Sequence, residues 1–196
     1  MNWQEAYARA LPYGEFLTRH GTEAHRQRWE AAYERAKVTD AQRALLDGFQ
    51  RQMYLLCLAG TWCGDCVRDG AILHRIVESA PRVDLRFLDR DEHPEIAREL
   101  SINGGLRIPM LVFLSEDFTE CARYGERTLA TYRKMAVERL GGRTGGDGPD
   151  EAPIIAGAPG TPEEHYAAVV QDWMDEIERV QLLLRLSPRL RAKHGD

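Results

Sequence analysis

Long apolar runs are missing from this chain. Nothing in it approaches the ~20 consecutive apolar residues of a membrane-spanning helix, and the longest apolar cluster, Tyr54 to Gly60, is too short for the core of a signal peptide. A basic excess is missing too. The 26 Lys and Arg are outnumbered by 31 Asp and Glu, for a formal charge of −5, which argues against nucleic-acid binding through bulk electrostatics. The short basic stretches His25 to Arg28 and Arg185 to Lys193 read as solvated helix faces. Six histidines show no ligand spacing and no second Cys-x-x-Cys exists, so no metal site is expected. No Ser/His/Asp set stands out, and Gly104-Gly105 lacks the spacing of a phosphate loop. Cysteine is scarce, with four, at 57, 63, 66 and 121. Their even number would allow two structural disulfides, but a leaderless chain expected in the cytoplasm does not need them, and the close pair 63/66 reads as redox or metal chemistry.

What is present is a chain of 196 residues, 43% apolar and 29% charged. That is enough for one core of ~100–150 residues with tens of residues to spare. From Met1 to Gln52 apolar residues recur at helical spacing, in stripes such as Trp29, Ala32, Tyr33, Ala36 and Leu45, Leu46, Phe49. Thr39 to Gln42 has the form of a capping box and predicts a helix start near Asp40. Two or three helices are expected here, with no cluster that looks catalytic. At Met53 the pattern changes. Tyr54 to Ala59 reads as a strand buried on both faces, Cys66 to Ala80 as a helix, Val83 to Leu88 as a strand and Glu95 to Leu100 as a short helix. Met110 to Leu114 and Phe118 to Tyr124 follow as strands, and a helix runs from about Thr128 to Leu140. This is an α/β order. Gly141 to Gly160 is rich in glycine, proline and acid and reads as a linker. Thr161 to Glu164 then combines a capping box with proline at the first helical position. Tyr166, Val170, Trp173, Ile177, Val180 and Leu184 form one apolar seam, expected to dock on the chain's own core, and Pro188 is expected to end the helix.

The chemistry concentrates in Thr61-Trp62-Cys63-Gly64-Asp65-Cys66, after a buried strand and at the opening of a helix. Two intervening residues place both sulfurs within one helical turn, so a disulfide closes with little backbone movement. Cys63 lies where the helix N-terminus favours a thiolate, which makes it the nucleophile. Cys66, one turn further in, is more shielded and resolves the mixed disulfide.

Trp62-Cys63-Gly64-Asp65-Cys66 resembles the Trp-Cys-Gly-Pro-Cys of the thioredoxin family, and Arg107-Ile108-Pro109 before Met110 to Leu114 is similar to its cis-proline segment. Gly125 matches a glycine the family usually keeps near that turn. The resemblance spans roughly residues 53 to 140. It implies an α/β, thioredoxin-like three-layer fold with a central mixed sheet, extended by N-terminal and C-terminal helices. The division expected is a helical extension over 1–52, a core over 53–140, a flexible linker over 141–160 and a packed helix over 161–196. The resemblance also implies a substrate groove formed by Trp62, Gly64, Asp65, Arg107, Ile108 and Pro109, in which a cis Pro109 exposes the Ile108 backbone to an extended substrate segment.

Three positions depart from the family pattern. Cys57 stands where the family usually has a buried aspartate that accepts the resolving thiol's proton; it reads as an apolar strand residue, or as a third sulfur near the pair. Asp65 replaces a proline, and its charge opposes the thiolate while its place in the first turn favours the helix. Arg107 either points into the groove and supports the thiolate or is a solvated loop arginine. Cys121 reads as packing and His74 as packing or solvated. The activity implied is that of a thiol–disulfide oxidoreductase, a disulfide reductase whose redox centre is the Cys63/Cys66 pair, with no cofactor. Its partners would be disulfide-containing proteins and an upstream dithiol or flavin reductase, with neither nucleic acid nor membrane. The alternative is a thioredoxin-fold adaptor whose helical extensions hold a protein partner.

Overall fold

Met53 to Ala59 carries no charged residue, and in the computed structural model it forms an inner strand of a four-stranded sheet. The structure describes residues 1–141 and 155–196. The expected linker at 141–160 therefore falls mostly outside the described residues. In chain order the elements are α1 (Trp3–Arg9), α2 (Tyr13–His20), α3 (Glu23–Arg35), α4 (Asp40–Asp47), β1 (Met53–Ala59), α5 (Gly64–Val77) and β2 (Val83–Asp89). Then come α6 (Pro94–Glu99), β3 (Met110–Ser115), β4 (Glu120–Gly125), α7 (Leu129–Leu140), α8 (Pro162–Leu186) and α9 (Pro188–His194).

The strand order is β2-β1-β3-β4, with β1 parallel to β2 and antiparallel to β3, and β3 antiparallel to β4. A parallel pair needs a long crossover, and α5 supplies it. Leu58 pairs with Met110 and Met110 with Gly125. The end of β1, the start of β3 and the end of β4 therefore share one edge of the sheet, and their loops carry the site.

Alternation along β1 sends Tyr54 and Cys57 to opposite faces. The Tyr54 ring lies 5.0 Å from Tyr7 of α1 and stacks on Phe118 at 4.6 Å. On the Cys57 side sits α5, covered in turn by α3 and α8. Trp29 of α3 is fully buried edge-on to Phe87, and its ring fills the space above Gly70 of α5, where a Cβ would come within 2.5 Å of it.

Helix starts follow their local chemistry. Thr39 and Thr161 both form capping boxes, with Gln42 and Glu164, so α4 and α8 begin where the spacing predicts. Val170, Trp173, Ile177, Val180 and Leu184 are buried, and Tyr166 is half-buried beneath the Arg35 guanidinium at 4.0 Å. Elsewhere tertiary structure changed the outcome. The first 52 residues form four helices, and between α1 and α2 Leu11 exchanges two backbone hydrogen bonds with Phe87, of 2.9 and 2.8 Å, at the β2 edge. Phe118 adopts a left-handed backbone (φ 58°) in the turn after β3, so β4 starts two residues later than the alternation suggests. Pro188 ends α8 but opens α9, because a proline at the first helical position lacks only an N–H that would have no partner there.

Candidate active site at the start of α5

The turn between β1 and α5 is held from behind by the N-terminal helices. Thr61 is buried; its hydroxyl donates to the His20 carbonyl at 3.0 Å and lies 3.1 Å from His25 Nδ1. Its carbonyl accepts from the Trp29 indole N–H at 3.0 Å. A Cβ on Gly60 would touch the Trp62 ring at 3.0 Å and Ile108 Cδ1 at 3.2 Å, so the chain here is pressed between these two side chains.

Cys63 is the N-cap of α5. Its sulfur accepts the Cys66 backbone N–H at 3.4 Å and lies 3.8 Å from the Ile108 carbonyl oxygen. Cys63 and Cys66 approach to 3.2 Å, and both are free thiols. The Cys63 thiol is lowered to about 6, chiefly because the Cys66 thiol donates to its sulfur; burial opposes this, and the backbone N–H groups of Cys66 and Asp65 add to it. Cys66 is buried, and burial followed by that same hydrogen bond pushes its thiol well above the usual range. The two sulfurs are thus driven in opposite directions by one contact. Cys57 is fully buried on β1 and burial pushes its thiol up as well, so it stays a neutral apolar residue near the pair. Cys121 lies apart on β4 and donates to the Thr119 carbonyl at 3.4 Å.

Facing the Cys63 sulfur, the Ile108-Pro109 peptide bond is cis, with both residues buried. Gly125, at φ +146°, backs this segment so closely that a Cβ would lie 2.4 Å from the Pro109 carbonyl oxygen. Trp62 is 44% exposed, with the Arg90 guanidinium 4.7 Å above its ring. Gly64 is exposed, and a Cβ there would find Arg28 at 3.9 Å. Arg107 is exposed and folds back over Gly105, with Glu126 its acidic partner at 3.7 Å. His74 stacks on Tyr13 at 4.0 Å, a packing role.

Asp65 meets two arginines, Arg68 at 3.1 Å and Arg127 at 2.8 Å. Arg68 also pairs with Asp69 at 2.9 Å, a carboxylate that is fully buried and accepts from the Trp173 indole of α8 at 3.4 Å. Burial raises the Asp69 carboxyl while Arg68 opposes the rise. Sequence reasoning missed this chain of charges and the Thr61 supports. Asp69 was detectable as a charge on the stripe Cys66, Asp69, Gly70, Leu73; Arg127, in a loop, left no periodic signal. Among the described residues no three His, Cys, Asp or Glu side chains gather to hold a metal ion, and no helix is long and apolar enough to cross a membrane.

A mixed sheet of this order, with a dithiol at the start of its crossover helix and a cis proline facing it, defines a thioredoxin-fold protein. The chain belongs to the thioredoxin family, whose model, described as Thioredoxin, matches residues 12–139. That match begins well before residue 53, so α2, α3 and α4 lie within it. Nearly the whole chain is similar in fold to a protein of unknown function from Pseudomonas aeruginosa, at 17% identity and a TM-score of 0.65, covering 94% of this chain and 98% of that one. An HIV epitope-scaffold is similar at 16% identity and a TM-score of 0.64, over 92% of this chain and 97% of its own. Mitochondrial thioredoxin 3 from Saccharomyces cerevisiae matches over 48% of this chain and 86% of that one, at 25% identity and a TM-score of 0.33. No curated protein matches in sequence.

Proposed function

We propose that this protein is a thiol–disulfide oxidoreductase that reduces disulfides in protein substrates. The observation that carries this reading is the lowered Cys63 thiol at the N-cap of α5, in contact with a buried Cys66. At pH 7 a thiol lowered to about 6 is ~90% thiolate. The Cys63 thiolate attacks one substrate sulfur, the substrate S–S bond breaks, and the departing sulfur leaves as a thiolate that takes a proton from water. Cys66 then gives its proton to water and attacks the Cys63 sulfur. A Cys63–Cys66 disulfide forms, the second substrate thiolate is released, and two electrons have passed to the substrate. An upstream dithiol or a flavin reductase restores the pair. Trp62, Gly64, Asp65, Ile108 and Pro109 line the substrate groove in this reading, with Arg107 at its margin, and the setting is the reducing cytoplasm.

The test is reduction of a protein disulfide such as that of insulin by excess dithiothreitol. Wild type accelerates it and Cys63→Ser falls to the uncatalysed rate, while Cys66→Ser, mixed with the substrate after dithiothreitol has been removed, accumulates a mixed disulfide. Equal rates for wild type and Cys63→Ser overturn the proposal.

A further inference from the structure

Asp65 puts a carboxylate in the first turn of α5, two residues from Cys63, where its charge opposes a thiolate. The fold answers each of its oxygens with a guanidinium. Arg68 reaches Oδ1 at 3.1 Å and Arg127 reaches Oδ2 at 2.8 Å, and the three side chains are only 21%, 14% and 22% exposed for Asp65, Arg68 and Arg127. Both arginines are anchored in turn. Arg68 holds the buried Asp69, and Arg127 pairs at 2.9 Å with Glu126, which accepts from the Tyr132 hydroxyl at 2.8 Å. Arg127 follows Gly125, whose backbone lies against the Pro109 carbonyl. The Asp65–Arg127 pair thus joins the cysteine turn to the loop that backs the other wall of the groove.

We propose that Arg127 is a positioning residue for the dithiol: with Arg68 it clamps Asp65, offsets the field of that carboxylate at Cys63 and ties the cysteine turn to the loop after β4. Proline, which the family places between its cysteines, needs no such partner. The other titratable or charged groups around the pair are Cys66 of α5, Cys57 of β1, Glu126 and Arg107 from the flanking loops, Arg28 of α3, and Arg90 above Trp62. His165 of α8, within reach of Arg68 and Asp65, is lowered to about 4 by burial and is neutral across the range that matters. The inference rests on the oxidoreductase reading for its consequence, but its test does not need turnover.

The experiment is iodoacetamide alkylation of Cys63 in the reduced protein as a function of pH, for wild type, Arg127→Gln, Arg127→Lys, Asp65→Asn and the Asp65→Asn/Arg127→Gln double variant. Arg127→Gln is expected to move the Cys63 titration up by about half to one pH unit, making alkylation at pH 5 roughly three- to tenfold slower. Arg127→Lys restores most of the rate. In the Asp65→Asn background Arg127→Gln changes the titration little, since a guanidinium no longer held at the cysteine turn by Asp65 moves towards solvent, where its charge is screened; the double variant also leaves no unpaired member of the pair, so it carries the test even where the single variant unfolds. An unmoved titration in Arg127→Gln, or the same shift with and without Asp65, overturns the clamp. A wild type that fails to reduce disulfides yet shows this titration pattern overturns the oxidoreductase reading alone.

Discussion

Raising the pH from 5 to 8 should stabilise the reduced protein through Cys63. In the folded chain this thiol is lowered to about 6, against an ordinary value of 9.0 in the unfolded chain. The unfolded state therefore holds more protons throughout that window, and stability rises with pH. At pH 5 both states are protonated and the contribution is close to zero; at pH 8 the folded thiol is ionised and the unfolded one is not. Integration between the two gives a gain on the order of 2–3 kcal/mol. The gain levels off only above about pH 9, where the unfolded thiol also ionises, and there Cys66, whose thiol is raised, acts in the opposite direction. His165 and His74 are both lowered by burial, so their contribution also falls away at acid pH. The informative quantity is thus a difference: urea unfolding of reduced wild type minus that of Cys63→Ser, at pH 5, 6, 7 and 8. Serine retains an oxygen acceptor at the N-cap, so the comparison isolates ionisation, and the histidine contributions cancel. The difference should widen by roughly 2–3 kcal/mol across the series. A difference that stays flat refutes the argument, because a thiol that ionises only near its ordinary value changes nothing below pH 8.

Packing and charge yield further expectations. Gly70→Ala should lower the unfolding free energy from urea titration by about 1–3 kcal/mol, because the Cβ would meet the Trp29 ring at 2.5 Å; a stabilised protein, as helix propensity alone would predict, would contradict it. Trp29→Phe leaves the buried Thr61 carbonyl without its donor and should cost about 1–3 kcal/mol in the same assay. Gly125→Ala places a Cβ 2.4 Å from the Pro109 carbonyl oxygen and should destabilise by at least ~1 kcal/mol, and a wild-type midpoint would argue against that close approach. Asp69→Ala strips the largely buried Arg68 of one of its two carboxylates, at a cost of about 3 kcal/mol in thermal unfolding, and adding Arg68→Met should recover much of it.

Local signals carried most of the architecture. The uncharged run at β1, the capping threonines at 39 and 161 and the seam of α8 each depend on residues within a few positions of one another, so periodicity and capping chemistry suffice to read them. The same holds for the two cysteines, whose spacing and placement after a strand announce a dithiol. Where the reading fell short, the partner was distant in sequence. Leu11 pairs with Phe87, Trp29 with Thr61 and Gly70, and Trp173 with Asp69, contacts that no window of a dozen residues contains.

The sequence by itself determined that two cysteines with the spacing of a dithiol open a helix after a buried strand, because that placement follows from local backbone geometry. Only the tertiary structure decided how far the two thiols diverge, since burial and the contact between their sulfurs exist only once α5 packs on the sheet. It also decided what becomes of the acid between them. On its own Asp65 is a charge of uncertain effect, and its meaning comes from two arginines, one a helical turn away and one more than sixty positions along the chain. The N-terminal helices, which carry no catalytic pattern, hold the cysteine-bearing turn from behind, because a buried carbonyl and hydroxyl at Thr61 must find partners and the folded chain brings them from Trp29 and His20.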